Sequence, residues 1–406
     1  MRIGHVAALR TIGGAEHHLA QFVRLSRLQH GVDHAVCSTG RYVHPHIAAT
    51  IAEHATVHEP KRIGPIKLPR QLSTLRRLRL RQLATQMNID VALFWNRLGS
   101  GEDALRESQA FDGQPRIYWD RGACWLAKDG PAEHRFLSRM QGILANSQAC
   151  RRMLELRWGY TGNIQVCRNA LRPDLLPMHA ATKRRPHNRP LRIGIAARLV
   201  PVKGIASSLY CLHALRRRGV DAELHIAGTG PLFEPLQSLA ARLGIRDHVV
   251  FHGLLADMAG FYRRIDCLLH LALREPFGGV IVEAMAYGCP VVATRVDGIA
   301  EIIEHGRDGF LLEPELEAPA TIELCRQPAD LPPWVYQPAT DSITAPRSVA
   351  PATAADAIER LLADDARFAE FSHRAKARAR HEFDYADHVA GVLEALSELA
   401  TARQAA

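Results

Sequence analysis

The chain has 406 residues, enough for two or three domains at roughly 100–200 residues each, and its 47% hydrophobic and 23% charged content excludes a disordered or fibrous protein. Lys and Arg number 51 against 42 Asp and Glu, a formal charge of +9 that favours anionic partners. No apolar run approaches the ~18 residues needed to cross a bilayer. The opening MRIGHVAALRTIGGAE has neither an apolar core nor a small-residue cleavage site, so no secretory leader is expected. Eight scattered cysteines, Cys37, Cys124, Cys150, Cys167, Cys211, Cys267, Cys289 and Cys325, include no C-x-x-C pair. That argues against a disulfide framework or a zinc site and fits a reducing cytosol.

In chain order, short apolar runs predict strands over 2–9, 32–38, 55–58, 90–95, 116–119, 142–146 and 163–167. Ala15, Leu19, Phe22 and Val23 lie on one face of a 3.6-residue period and predict a helix after the first strand. Between Glu59 and Asp90 there is no acid, but eight bases occur: Lys61, Arg62, Lys67, Arg70, Arg76, Arg77, Arg79 and Arg81. Leu72, Leu75, Leu80 and Leu83 are expected to share one side of a helix there, imperfectly, because Arg76 and Arg79 fall on that side too. Such a surface suits anionic headgroups; a solvated helix face is the plainer alternative.

Prolines bracket a polar, basic stretch near 177–190 that reads as a linker. A second alternation follows, with strands over 191–197, 222–228, 248–251, 265–271, 290–293 and 309–312. Helices are predicted over 205–218, 232–243, 256–263, 280–287 and 299–305. Strands alternating with helices imply parallel sheets covered on both faces, and two such series imply two Rossmann-like domains facing each other across a cleft. Eight prolines fall within 314–351, which predicts an extended inserted loop. In it, Trp334 and Tyr336 either anchor the loop or cap the cleft. Helical stretches over 354–380 and 385–402 close the chain.

Candidate chemistry gathers in the second series. RLVPVKG follows a strand and precedes a helix, so Arg198 and Lys203 stand at a strand's carboxyl end, where two cations suit a pyrophosphate. REPFGGVIVEAMAYGCPVVAT runs strand end, glycine turn, helix and strand. Glu275 sits in its loop, Gly278 and Gly279 allow close approach of the backbone, and Glu283 comes one turn into the helix. Carboxylates there accept hydrogen bonds from vicinal hydroxyls. Phosphates on bases and hydroxyls on glutamates describe a nucleotide sugar. The 21 histidines include no H-E-x-x-H pattern, and the chain has no D-x-D.

These motifs resemble glycosyltransferase family four, the retaining, sugar-nucleotide-dependent transferases of GT-B fold. The resemblance is strongest over 190–312. It rests on Glu275 and Glu283 as E-x7-E, EPFG followed by VxEAMAxGxPVVAT, Arg198 and Lys203 as R-x4-K, and AGTGP, which contains Gly228. In the first half, IGGAE, ANS and RNALRPD resemble weaker family motifs. The resemblance implies that Arg198 and Lys203 neutralise the diphosphate and that Glu283 takes the ribose hydroxyls. Glu275 would take donor-sugar hydroxyls, helped by N–H groups of Phe277, Gly278 and Gly279. Gly253, Leu254 and Leu255 would line the base pocket. Gly13 and Gly14 would face the diphosphate or the acceptor. No metal or other cofactor is required on this reading, because cations and a helix dipole suffice for the leaving group.

Two departures from the family pattern stand out. Asp297 and Gly298 replace a glycine pair, and YWDRGACW stands where members carry a histidine. Asp120 is a candidate to accept the acceptor's proton and Arg121 to bind an acceptor phosphate; an ordinary ion pair is the alternative. The expected organisation is an acceptor-binding domain over 1–176, a linker over 177–190 and a nucleotide-sugar domain over 191–380. Packing back on the first domain is open to a last helix within 381–406. The implied activity is hexose transfer, with a UDP-sugar favoured over GDP-mannose, to a saccharide or lipid-linked acceptor in polysaccharide, glycolipid or lipopolysaccharide synthesis. The expected location is the cytoplasm, with peripheral attachment to the inner face of the membrane through 61–81. Alternatives are a GT-B enzyme with a soluble phosphorylated sugar acceptor, an inert GT-B partner subunit and a nucleic-acid binder. Residues 61–89 carry no Phe, Tyr or Trp for base stacking, so nucleic acid is not expected.

Overall fold

The computed structural model describes residues 1–9, 14–40, 42–64, 66–69, 73–177, 181–317 and 331–402. The chain divides into two compact units: Met1–Arg168 with Ala386–Ala406, and Asn169–Tyr385. The division falls at Arg168 instead of after residue 176, and residues 169–190 group with the second unit instead of forming a free linker. The physical reason is contact: Leu171 N–H donates to the Phe383 carbonyl at 2.8 Å, Lys183 N–H to Ser372 Oγ at 2.7 Å, and Arg189 to Asp266 at 2.7 Å.

The first unit begins with β1 (Arg2–Ala7), β2 (Asp33–Ser38) and β3 (Thr56–His58). A two-stranded hairpin follows, β4 (Arg62–Ile63) with β5 (Ile66–Lys67), then β6 (Val91–Trp95), β7 (Arg116–Asp120), β8 (Gly142–Ala145) and β9 (Ile164–Val166). The seven-stranded parallel sheet has the order β3-β2-β1-β6-β7-β8-β9. Strands buried on both faces read as continuous apolar runs. Val91–Trp95 is buried throughout, which is why such segments were legible. The helix Tyr385–Thr401 supplies this unit's last layer, with Val389, Val392, Leu396 and Leu399 buried.

The basic stretch differs from its expected pattern. Its helix spans Ser73–Gln86, with Leu80 and Leu83 in the core but Leu75 and Leu78 exposed, and Leu72 lies outside the described residues. The apolar residues serve two environments because Leu80 and Leu83 continue into the buried Met87 and Ile89 that lead to β6.

The second unit contains β10 (Leu191–Ala196), β11 (Ala222–Ala227), β12 (Val249–Gly253), β13 (Cys267–His270), β14 (Val291–Thr294) and β15 (Gly309–Leu312). They form a six-stranded parallel sheet in the order β12-β11-β10-β13-β14-β15. Helices pack on both faces; Leu209, Leu212, Leu236, Ile358 and Phe368 belong to one apolar cluster and Ile281, Met285, Ile299 and Ala375 to another. Three expectations are corrected. The helix expected over 299–305 is a 3-10 turn, Asp297–Glu301. The insert over 314–351 is not only extended loop: β16 (Leu316–Glu317) pairs with β19 (Arg347–Ser348), and β17 (Val335–Gln337) pairs with β18 (Ser342–Thr344). The helical stretch over 354–380 is two helices, Pro351–Leu362 and Asp365–Glu382, separated where Asp364 caps the second by accepting from Ala366 N–H at 2.9 Å.

Candidate functional site

In an open parallel sheet, ligands bind beyond the carboxyl ends of the strands where the strand order reverses. In the second unit that point lies between β10 and β13. The turn after β10 brings Lys203 to this point and Gly204 fixes it there. Gly204 has φ +62°, and a Cβ on it would lie 1.8 Å from the Leu271 carbonyl oxygen, so only glycine lets this turn lie against the end of β13.

Lys203 Nζ is 2.6 Å from Glu275 Oε2, and His270 Nε2 is 3.0 Å from the same oxygen. All three side chains are largely buried, with exposures of 16%, 14% and 2% for Lys203, Glu275 and His270. Burial by itself would raise the Glu275 pKa, yet Lys203 and His270 hold it well below the usual carboxylate range. Glu275 therefore stays ionised at any working pH, which suits accepting hydrogen bonds and rules out donating a proton. Its own backbone N–H donates to Asp297 Oδ2 at 2.9 Å.

Glu283 lies in the helix Gly279–Ala286, just beyond the loop that contains Glu275. Its Oε2 accepts from the Tyr262 hydroxyl at 2.7 Å and its Oε1 faces Arg172 Nε at 3.8 Å. Burial, reinforced by Glu283, pushes the Tyr262 hydroxyl well up, so it remains a donor. The ion pair thus joins Lys203 to Glu275, whereas Glu283 is held by other partners and Arg198 stands exposed just past β10. Gly228, following β11, donates its N–H to the Gly253 carbonyl at 2.7 Å at the end of β12. Leu254 is 83% exposed beside it, and Leu255 is half-buried. Phe277 turns its ring inward to Phe383, while Gly278 and Gly279 open the helix. Sequence reasoning missed His270, Tyr262 and Arg172. A histidine ending the otherwise apolar strand CLLH was the available signal for the first.

In the first unit the strand order reverses between β1 and β6. Gly13 lies outside the described residues, and Gly14 is the exposed first residue of the helix Gly14–His30. The catalytic role expected of Asp120 is corrected. Asp120 is fully buried, and its carboxylate accepts from Tyr118 Oη at 2.7 Å, Gly122 N–H at 2.6 Å and Cys124 N–H at 3.0 Å. With both oxygens so occupied, it fixes the turn into the helix Ala123–Leu126 and has no lone pair aimed at a reacting hydroxyl. Arg121 lays its guanidinium over the Trp95 and Trp119 rings, 5.8 and 5.3 Å from their centroids.

Among the described residues, one trio of potential metal ligands is close together: Asp120, Cys124 and Cys150. Burial pushes the Cys150 thiol up to about 12 and Cys124 well above its usual value, so neither is a thiolate at neutral pH. The Cys124 and Cys150 sulfurs lie 3.9 Å apart, and the Asp120 carboxylate between them also accepts from Tyr118, Gly122 and Cys124.

Residues 181–327 match the family model described as glycosyl transferases group 1. A 94-residue stretch is 44% identical to N-acetyl-alpha-D-glucosaminyl L-malate synthase of Bacillus anthracis, covering 23% of this chain and 25% of that one. A 135-residue stretch is 36% identical to the GDP-mannose-dependent alpha-(1-6)-phosphatidylinositol monomannoside mannosyltransferase of Mycolicibacterium smegmatis, covering 31% and 35%. The matches therefore span only 25% and 35% of the length of these curated relatives. By structure, the chain superposes on the Anabaena HepE protein solved in complex with UDP, with a TM-score of 0.71 at 20% identity, covering 98% of this chain and 100% of that one. At that identity the likeness shows the fold. Residues 181–327 are thus similar to the glycosyl transferases group 1, and the architecture is GT-B.

Proposed function

We propose that the protein is a retaining glycosyltransferase that moves a hexose from a nucleotide diphosphate sugar, a UDP-sugar in preference, to a saccharide or lipid-linked acceptor. The observation that carries this reading is the buried pairing of Lys203 with the Glu275 carboxylate at the strand reversal of the second unit. Breaking the anomeric bond puts negative charge on the departing diphosphate. On this reading Lys203, the exposed Arg198 and the start of the helix Gly279–Ala286 meet that charge. Glu275 accepts hydrogen bonds from the sugar hydroxyls, and Glu283, presented by Tyr262, from the ribose. Front-face attack needs no protein nucleophile, which accords with a site that holds cations and hydrogen-bond acceptors. The reaction as proposed needs no metal. The preference for UDP has support in the UDP-bound HepE structure of like fold.

Thermal-shift binding of UDP, GDP, ADP and their hexose conjugates, without added metal, tests this directly. A ligand that binds only the folded chain stabilises it by about 2.7 kcal/mol at one hundred times its Kd. One nucleotide series is expected to raise Tm in the wild type and not in Glu283→Ala, each read against its own unliganded Tm. Failure of all three series to bind sinks the reading.

The proposal includes attachment to an anionic membrane surface. Ile63 and Ile66 of the β4–β5 hairpin are 45% and 68% exposed, and Leu75 and Leu78 are 42% and 58% exposed, among the bases of the same stretch. Among the described residues no helix is long and apolar enough to cross a membrane. Basic side chains near such a surface contribute about 1 kcal/mol each, and inserted apolar side chains add to this. The chain is expected to float with phosphatidylglycerol vesicles at low salt. Absence of flotation would favour the soluble phosphorylated acceptor.

A further inference from the structure

The carboxylate of Asp297 stands where two parts of the second unit meet. Its Oδ2 accepts the Glu275 backbone N–H at 2.9 Å, and its Oδ1 accepts the Tyr336 backbone N–H at 2.7 Å. Asp297 is fully buried, at φ +45°, in the left-handed region that favours glycine. The next residue holds the other side of the Glu275 peptide, since Gly298 N–H donates to the Glu275 carbonyl at 3.1 Å. The loop lies so close on Gly298 that a Cβ there would sit 2.3 Å from the Pro276 carbonyl oxygen. Tyr336 belongs to β17 of the proline-rich insert, where Val335 is 2% exposed and the Tyr336 hydroxyl donates to Asp341 at 2.9 Å. The insert is therefore anchored at the hairpin by its core side chain and its backbone, and Trp334 beside it is exposed.

We infer that Asp297 is a positioning residue through which the insert hairpin sets the place of Glu275, so that the insert tunes recognition of the donor sugar. This rests on the donor-site reading above. A glycine at 297 would suit the backbone; an aspartate tolerates φ +45° here because its carboxylate satisfies two buried N–H groups at once. The reach of this relay is limited to the sugar. Glu283 accepts from Tyr262 and faces Arg172, groups other than those bound by Asp297, so sugar binding is expected to respond more than nucleotide binding.

The test compares wild type with Asp297→Gly, which removes both acceptors while relieving the backbone. Asp297→Asn, whose amide oxygen still serves one N–H, is the conservative control, and Tyr336→Pro deletes the donor from the insert side. Hydrogen exchange on the ligand-free chain reads peptides covering 273–279. Exchange there is expected to rise by about tenfold or more in Asp297→Gly, to rise less in Asp297→Asn, and to rise in Tyr336→Pro, as loss of a buried hydrogen bond requires. Unchanged exchange in Asp297→Gly overturns the inference, and unchanged exchange in Tyr336→Pro alone overturns the insert's part in it. Calorimetry with UDP and UDP-glucose then gives an affinity ratio. Asp297→Gly is expected to lower the UDP-glucose preference by about tenfold with UDP affinity held within about twofold, and an unaltered ratio overturns the inference. If the wild type binds neither compound, the donor reading fails, while the exchange measurement still decides the coupling.

Discussion

At the strand reversal of the first unit, between β1 and β6, the polar groups are neutral and satisfy one another. Trp95 Nε1 donates to His5 Nδ1 at 2.9 Å, His5 Nε2 meets His34 Nδ1 at 2.9 Å, and His34 Nε2 meets Ser26 Oγ at 2.8 Å. Since the indole can only donate, the chain has one consistent direction: each histidine donates from Nε2 and accepts at Nδ1. At the reversal of the second unit, between β10 and β13, Lys203 and Glu275 are charged. The same topology thus carries opposite electrostatics. Parallel-sheet geometry supplies a strand reversal in each unit, and the side chains beside it decide that one carries a buried ion pair while the other carries a neutral hydrogen-bonded chain.

The strongest way to break the first unit is through its buried ion pair. Arg97 and Glu107 are 9% and 7% exposed at their side chains and form two hydrogen bonds, at 2.9 and 3.0 Å. Burial pushes the Glu107 carboxyl up, against the pull of Arg97. Arg97→Ala leaves that carboxyl buried without its cation and is expected to cost about 3–5 kcal/mol in urea unfolding. A cost within about 0.5 kcal/mol, the range of an ordinary surface change, would show that the pair is solvated in solution.

The charged reversal is probed by Glu275→Ala. It removes the acceptor and leaves Lys203 and His270 without their shared partner. The expected loss is about 10²–10³ in kcat for sugar transfer, comparable to deleting one preorganised group from a polar active site. A loss confined to KM would assign Glu275 to uniform binding instead.

Acid separates the two units next. Burial lowers His34 to about 4, and it lowers His5 and His18 well below their usual value. His388, which meets His18 at 2.9 Å, falls to about 3. All four belong to the first unit. Below the unfolded histidine pKa of roughly 6.5 the unfolded chain binds protons that the folded unit refuses. Stability is therefore complete above that pH and declines as pH falls toward 4, by about 1.4 kcal/mol per pH unit for each histidine. In the second unit, Glu275 keeps its charge through this window. Thermal unfolding followed from pH 7 to 4.5 is expected to show the first unit's transition moving down more steeply. Parallel movement of both transitions would refute the contrast.

The smallest effect sharpens a point of local structure. Ser147 caps the helix Gln148–Leu156 by accepting from Cys150 N–H at 2.9 Å, and Ser147→Ala is expected to cost about 1 kcal/mol. A neutral result would place the helix start elsewhere.

The sheets were legible because each central strand is a run of apolar residues long enough to bury on both faces, as in VALFW and CLLH. The segment carrying Glu275 and Glu283 was legible because REPFGGVIVE concentrates a loop carboxylate, two glycines and a helical carboxylate in one short stretch. The insert's hairpins were not, since strands of two and three residues among prolines have no alternation to read. Asp120 misled for a different reason. An aspartate ending a strand looks the same in sequence whether it faces a ligand or ties down the next turn. Its neighbours held a clue: in DRGAC, N–H groups two and four residues on lie within reach of its carboxylate. Leu75 and Leu80 shared a predicted face but not an environment, because burial depends on where β6 begins and not on the helical period alone.

The closing helix has a consequence for synthesis. Tyr385–Thr401 is made after the second unit, yet it completes the first, and Leu399 lies close enough to Gly142 that a Cβ there would meet its Cδ2 at 2.5 Å. At about 5–20 residues per second, translation of the 217 residues Asn169–Tyr385 takes tens of seconds or less, during which the first sheet waits with its face for Leu396 and Leu399 uncovered. On the ribosome, then, the second unit is the first to be finished. A nascent chain cut short before Leu396 leaves the first unit with an open, sticky seam.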